Sequence, residues 1–501
     1  MSAAREMDMT MTRRNFLRQA GAGAAAPAVG SLLLRGAAGA QRRRPNIVLV
    51  IADDWSWPHA GVYGDRVVRT PAFDRLARQG ILFTRAYCNA PSCTPSRGAI
   101  LTGQMFYRLR QAANLWSTFP PDLAVYPDLL EAAGYAVGLA GKGWGPGSVE
   151  PPRTRNPAGP PAKDFAQFLK ALPGAKPFCY WFGSTNPHRG YKKGSGVASG
   201  KRIEDVVLPP YLADSPEVRS DILDYYVEVE QFDGQVGAIV RDLQDAGRLD
   251  ETLLVVTSDN GWPFPRAKTT LYDSGCRMPM LVHWPAGARG GRTIDDFVNL
   301  ADLAPTFLEA AGLAVPRDVT ARSFLDVLLS GKSGRIAPTR DATVVGRERH
   351  HGAARPGELG YPSRAIHTAG FLYVRNFEPG RGPAGEPGAE TWTGDDTTGG
   401  YADIDGGPTK GWMWQHRTDP KVGPTWDLAV ARRPAEELYD LKKDPHQTIN
   451  VAGRPEYAAP QKALADRLAA YLKETGDPRV VGGGGPLDKY PYTGTVPKPG
   501  K

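Results

Sequence analysis

Four cysteines in 501 residues are too few to be the framework of the fold, so a hydrophobic core must hold the chain together. The sequence contains no internal repeat and no nucleic-acid-binding motif. Its Ala/Gly-rich run ending at Leu32-Leu33-Leu34 is too short and too interrupted to span a bilayer after processing. Histidine is scarce, with 8 residues, which leaves few ligands for a site that needs several imidazoles. The hydrophobic content of 41% is ordinary for a soluble globular protein. The length fits one large α/β domain with an appendage, or two to three domains. The net charge of +8 comes partly from arginines near the N-terminus, including Arg42-Arg43-Arg44, and favours a polyanionic substrate.

Arg13-Arg14-Asn15-Phe16-Leu17-Arg18 resembles a twin-arginine export signal, followed by the weakly apolar run and by the small residues Ala38-Gly39-Ala40 before Gln41. Residues 1–40 are therefore expected to direct export to a periplasmic or secreted location. That route carries folded protein, so modification and metal loading would come first.

Pro45 to Ala52 is an almost continuous apolar run, as expected of a strand buried on both faces. It ends in Asp53-Asp54, two carboxylates that repel unless a cation or hydrogen-bond donors offset them; a simple turn or cap pair is the alternative. Thr70-Pro71 predicts a helix start with Thr70 as N-cap, Leu76 and Ala77 on its apolar side and Gly80 at its end. Ile81-Leu82-Phe83 then returns as a strand. In Cys93-Thr94-Pro95-Ser96-Arg97, Pro95 favours an early helical position, which places Cys93 to Ser96 where helix N–H groups favour an anion. Thr252 to Ser258 is a second buried strand, ending in Asp259-Asn260-Gly261. Between them, Ser215-Pro216 opens a long amphipathic helix carrying Ile222, Tyr225, Val229, Phe232 and Val236 as core. Strands alternating with helices predict a wound sheet with helices on both faces, and such sheets bind ligands beyond the carboxyl ends of their strands. Asp53, Asp54, Asp259 and Asn260 all stand at such ends and offer only oxygen ligands, which suit Ca²⁺ or Mg²⁺.

The Cys-x-Pro-Ser-Arg stretch resembles the maturation signature of the type I sulfatases, in which the Cys is oxidised to formylglycine. The two acidic pairs match the metal positions of that family. The resemblance implies an alkaline-phosphatase-like three-layer α/β/α domain with a mixed central sheet, plus a smaller C-terminal α+β subdomain with an antiparallel sheet. It implies one Ca²⁺, with Mg²⁺ as the alternative, held by Asp53, Asp54, converted Cys93, Asp259 and Asn260. Gly141-Lys142-Gly143-Trp144 is similar to a family segment whose Lys neutralises sulfate, but Trp144 stands where many relatives carry His. Asn186-Pro187-His188-Arg189 is similar to the loop whose His binds sulfate and protonates the leaving group, and Lys268 falls at a basic sulfate contact. Further matches at Pro263-Phe264-Pro265, His350-His351, Tyr361-Pro362-Ser363-Arg364, Glu437-Leu438-Tyr439-Asp440 and Asp444-Pro445-His446 resemble the heparan N-sulfatase branch. The likeness runs from about Pro45 to Val480.

The chemistry this implies uses hydrated formylglycine at position 93 as nucleophile, activated by the metal and Arg97. Lys142, Lys268 and His188 hold the sulfate, and His188 protonates the leaving sugar oxygen or nitrogen. The implied partners are a sulfated carbohydrate, as sulfate ester or sulfamate, and a formylglycine-generating or sulfatase-maturing enzyme. A phosphatase or phosphodiesterase on the same fold would need zinc and histidine ligands. A non-catalytic binder of sulfated glycans would leave Cys93 a thiol. If Cys93 is converted, Cys88, Cys179 and Cys276 remain, and at least one cannot pair within the chain.

Residues 41–350 are expected to form the catalytic domain and 351–501 the C-terminal subdomain. Ala365-Ile366-His367 and Phe371 to Val374 read as short strands, and Leu464, Leu468 and Leu472 as the face of a last helix stopped by Gly476. The Gly/Pro-rich stretch from Pro379 to Gly423, with Trp392, Trp412 and Trp414, is expected to pack on the main domain. His350, His351 and Arg364 are candidate substrate contacts.

Overall fold

The computed structural model describes residues 44–388, 400–482 and 484–494; the expected export signal and Trp392 lie outside them. The main sheet is mixed, as the resemblance implies. Its central strand, Asn46–Ala52, runs parallel to Phe178–Gly183 on one side and Thr252–Ser258 on the other. Ala136–Gly141 adds in parallel beyond Phe178–Gly183. On the opposite flank Arg277–His283 runs antiparallel to both Thr252–Ser258 and Ile81–Tyr87.

The first strand shows why its sequence is apolar throughout. Ile47, Leu49 and Ile51 face one core, shared with Ala99, Ile100 and Leu101 of the helix Cys93–Thr102. Val48, Val50 and Ala52 face another, shared with Val229, Phe232 and Val236 of the helix Pro216–Asp245. Alternating side chains of one strand thus feed two helical layers. The long helix starts as expected, with Ser215 Oγ accepting from Val218 N at 3.2 Å. Thr70 stands at the N-cap of the helix Pro71–Gln79, as expected, and its carbonyl accepts from Asp74 N at 2.8 Å, but its side chain makes no cap bond. Its hydroxyl donates to Asp74 instead, and Asp233 from the long helix accepts from Ala72 N and Phe73 N.

The second sheet is antiparallel, ordered Ala342–Arg347, Ser363–Thr368, Phe371–Asn376, Glu436–Asp440. Its first strand precedes residue 351, where the smaller unit was expected to begin. The last helix, Ala458–Glu474, buries Leu464, Leu468 and Leu472, and Gly476 follows in the left-handed region (φ +73°). Within the Gly/Pro-rich stretch, Ile404, Met413 and Val422 join the core of the main domain. No helix among the described residues is long and apolar enough to cross a membrane.

Candidate active site

The two parallel strands that end in acidic pairs lie side by side, with Ala52 in register with Ser258. Their next residues therefore emerge together at the carboxyl edge. Asp54 N donates to Asp259 Oδ1 at 3.1 Å, and Asn260 Nδ2 donates to Asp54 Oδ1 at 2.7 Å. Asp54 has φ +74°, a left-handed conformation costly for a non-glycine residue and held here by these buried bonds. The helix Cys93–Thr102 begins at this edge, and Ser96 Oγ donates to Asp259 O. The ligand atoms of Asp53, Cys93 and Asp259 lie within 4.8 Å of one another.

Three cations surround the carboxylates. Arg97 Nε donates to Asp259 Oδ2 at 2.7 Å, and its Nη2 reaches Asp53 Oδ1 at 3.5 Å. Lys142 Nζ stands 2.7 Å from both oxygens of Asp53. Two glycines make that approach possible. A Cβ on Gly141 would sit 2.0 Å from Gly183 O, and one on Gly183 would sit 1.7 Å from Lys142 O. Lys268 Nζ bridges Asp54 Oδ2 and Asp405 Oδ2, each at 2.8 Å. His188 Nε2 lies 3.8 Å from Asp54 Oδ2, while its Nδ1 faces Arg189 O at 3.0 Å. With its side chain 39% exposed, His188 stands on the solvent side of the cluster.

Burial raises the Cys93 thiol well above its ordinary range, with Lys142 pulling the other way. Burial disfavours charge on Asp53 too, but Lys142 and Arg97 hold its carboxyl far below the usual range. Burial pushes Asp259 upward, only partly offset by Arg97, and the neighbouring Asp53 pushes the same way. Lys268 is buried as well, yet Asp405 and Asp54 keep it charged.

The donor set fits a hard divalent cation on one direct observation. Asn260 Oδ1 is buried and has no hydrogen-bond partner among the described residues, although its amide nitrogen is fully used. An orphaned buried acceptor beside three carboxylates is an arrangement that oxygen coordination of Ca²⁺ would satisfy. Asp54, His188 and Asp405 form another acidic cluster, but the Lys268 ammonium already bridges its two carboxylates.

The structure thus brings together Asp53, Asp54, Cys93, Arg97, Lys142, His188, Asp259, Asn260 and Lys268. His350 adjoins them: its Nδ1 is 2.8 Å from Ser92 Oγ, and burial with nearby Lys268 lowers its pKa to about 3. His351 N donates to Asp403 Oδ1, and its ring caps the turn at Ala353. Arg364 is a correction. It is wholly buried between Glu348 and Asp477 and stacks near Phe106 and Tyr107, so it is unavailable to a substrate. Asp405 was missed. It arrives from the Gly/Pro-rich stretch, where the acids of Tyr401-Ala402-Asp403-Ile404-Asp405-Gly406 were the available signal. Trp144 packs edge-on to Phe119, and its buried indole N–H has no partner among the described residues.

A family model described as Sulfatase matches residues 45–147 and 159–313. The chain is 30% identical to the human N-sulphoglucosamine sulphohydrolase, over 92% of this chain and 96% of that protein. It is 28% identical to an ulvan-active sulfatase of Formosa agariphila, covering 87% and 81%. Among solved structures, one in complex with its substrate D-glucosamine-2-N,6-O-disulfate superposes with a TM-score of 0.62 at 20% identity, covering 87% of this chain and 99% of that one. At that identity the superposition bears on the fold alone.

Proposed function

This chain belongs to the sulfatase family and is a hydrolase of sulfate esters or sulfamates, and we propose that it removes sulfate from sulfated carbohydrates, with N-sulfoglucosamine units as the favoured class. The juxtaposition of Cys93 with an oxygen-only cluster holding an orphaned acceptor carries this reading. The sugar class rests on the human relative, 30% identical, whose name contains N-sulphoglucosamine. Export by the twin-arginine route to a periplasmic or secreted location, after conversion of Cys93 to formylglycine by a maturing enzyme, belongs to the same proposal. So does the division into a catalytic unit ending near residue 350 and a C-terminal unit.

Each residue has a defined task in this reading. Asp53, Asp54, Asp259 and Asn260 would hold a Ca²⁺ ion, which would supply Lewis acidity to the site. The oxidised side chain of residue 93 supplies that nucleophile. Arg97 fixes Asp259 and favours the anionic form of the nucleophile beside it. Lys142 and Lys268 exchange their present carboxylate contacts for sulfate oxygens, adding to the N–H groups at the start of Cys93–Thr102. His188 donates the Nε2 proton to the leaving nitrogen or oxygen, while Nδ1 bonded to Arg189 O fixes the ring. Asp405 keeps Lys268 charged and in place. Trp144 has no basic nitrogen and takes no part in proton transfer.

The experiment is sulfate release from N-sulfoglucosamine compared with O-sulfated sugars, with metal content measured on the same sample. Release from the N-sulfated sugar with bound calcium is expected. Reaction of O-sulfated sugars alone would remove the sugar assignment. Stoichiometric zinc with phosphate-ester turnover would replace the reading by the phosphatase alternative.

A further inference from the structure

The cavity of about 1040 Å³ beside the site contains none of the residues assigned to the metal or the sulfate. Its walls nevertheless start from the same strand ends. Trp57 follows Asp53 by four residues and donates its N–H to Arg277 O, and Trp262 follows Asn260 by two. The lining carries six Lys or Arg residues against three Asp. Two of the acids are already engaged: Asp65 by Tyr226 OH and the amides of Val67 and Val68, and Asp273 by Arg277. Arg66 and Arg69 are exposed, and neither guanidinium has an ion pair or hydrogen bond among the described residues. Arg85 lies over Phe297 at 5.1 Å and makes a 3.3 Å bond to a carbonyl, with no carboxylate partner among the described residues. The other three cations are paired, Lys201 with Glu230, Arg202 with Glu204 and Arg277 with Asp273. The rings of Trp57 and Tyr63 are partly buried, and the Arg277 guanidinium covers one face of Trp57 at 3.6 Å.

Uncommitted guanidiniums beside partly exposed aromatic faces match one ligand chemistry: sulfate groups spaced along sugar rings. Guanidinium forks take up sulfate oxygens, and ring faces stack on pyranose C–H surfaces. We propose that this cleft is a second, non-catalytic binding site for a sulfated glycan chain. A polymer held there raises the effective concentration of its sulfated ends at the neighbouring Cys93 site. The identity of the ligand rests on the carbohydrate-sulfatase reading; the existence of the cleft and its charge do not.

The test compares two charge reversals in the full chain. Arg66→Glu/Arg69→Glu alters the cleft. Lys170→Glu/Lys176→Glu makes the same change in net charge at exposed positions ahead of the strand Phe178–Gly183, none of which lines the cleft. The probes are a heparin-type hexasaccharide and the monosaccharide N-sulfoglucosamine. Binding of the hexasaccharide is expected to weaken by about tenfold or more in the cleft variant, and by less than about twofold in the control. Sulfate release from the monosaccharide should be unchanged in both. Equal weakening in the two variants, or none in the first, overturns the proposal. So does self-association of the wild type that the cleft variant abolishes, because a second copy would then be the occupant. If the wild type releases sulfate from no sulfated sugar, the catalytic reading falls while the binding comparison still decides the cleft.

Discussion

Arg97 and Arg364 are both wholly buried, and each has all five N–H groups engaged. Arg364 donates to Asp477, Glu348, Arg347 O and Ser363 O at 2.6–3.2 Å. Every partner in that cluster is matched, since Arg479 also binds Glu348 and Asp488. Arg97 is held as firmly through Nε and Nη1, but both Nη2 bonds are stretched to 3.5 Å. Around it stand an orphaned Asn260 Oδ1 and a left-handed Asp54. Buried charge therefore does not distinguish a site from a strut. Incomplete satisfaction and backbone strain do, because they mark groups that await something the chain does not itself supply.

Five substitutions and one calcium titration can break this contrast. The largest effect belongs to the strut. Arg364→Ala should cost about 3–5 kcal/mol of stability by stranding Asp477, since Glu348 keeps Arg479; this is read by denaturant unfolding, while the folded fraction keeps its kcat. A stable variant with lost turnover would move Arg364 into the site. Arg97→Lys should do the reverse, lowering kcat about 10²- to 10³-fold with a smaller loss of stability. Calcium should stabilise the wild type by about 2.7 kcal/mol at one hundred times its Kd, seen as a rise in Tm after chelation and readdition. Asn260→Ala should abolish that rise, and Asp477→Asn should leave it intact. The smallest effect is that of Asp405→Asn, expected to raise KM about tenfold by freeing Lys268, with kcat less affected. An equal loss in kcat would place Asp405 in the chemistry rather than in positioning.

The sequence carried the strand ends well, because apolar runs stopping at Asp53-Asp54 and Asp259-Asn260 combine a local burial signal with an abrupt change of chemistry. Pro95 and Ser215-Pro216 marked helix starts for equally local reasons. What it hid was set by distant partners. Arg364 read as a substrate contact because nothing nearby in the chain announces Asp477. Thr70 is the N-cap residue as read, but the carboxylate that serves its first turn, Asp233, comes from another helix. Asp405 was invisible in a glycine-rich stretch whose path is fixed elsewhere: Thr409 donates to Asp221, which in turn holds Arg189. The strand Ala342–Arg347 needed Ser363–Thr368 beside it to be recognised.

In the proposed reaction residue 93 acts as an aldehyde and not as a thiol. Mass analysis of the tryptic peptide Ala86–Arg97, taken from preparations of differing specific activity, tests it most directly. The expected result is a mass change equal to exchanging the thiol and one Cβ hydrogen for a carbonyl oxygen, with sulfate release proportional to the converted fraction. Full turnover by chains whose Cys93 is entirely unmodified would contradict it.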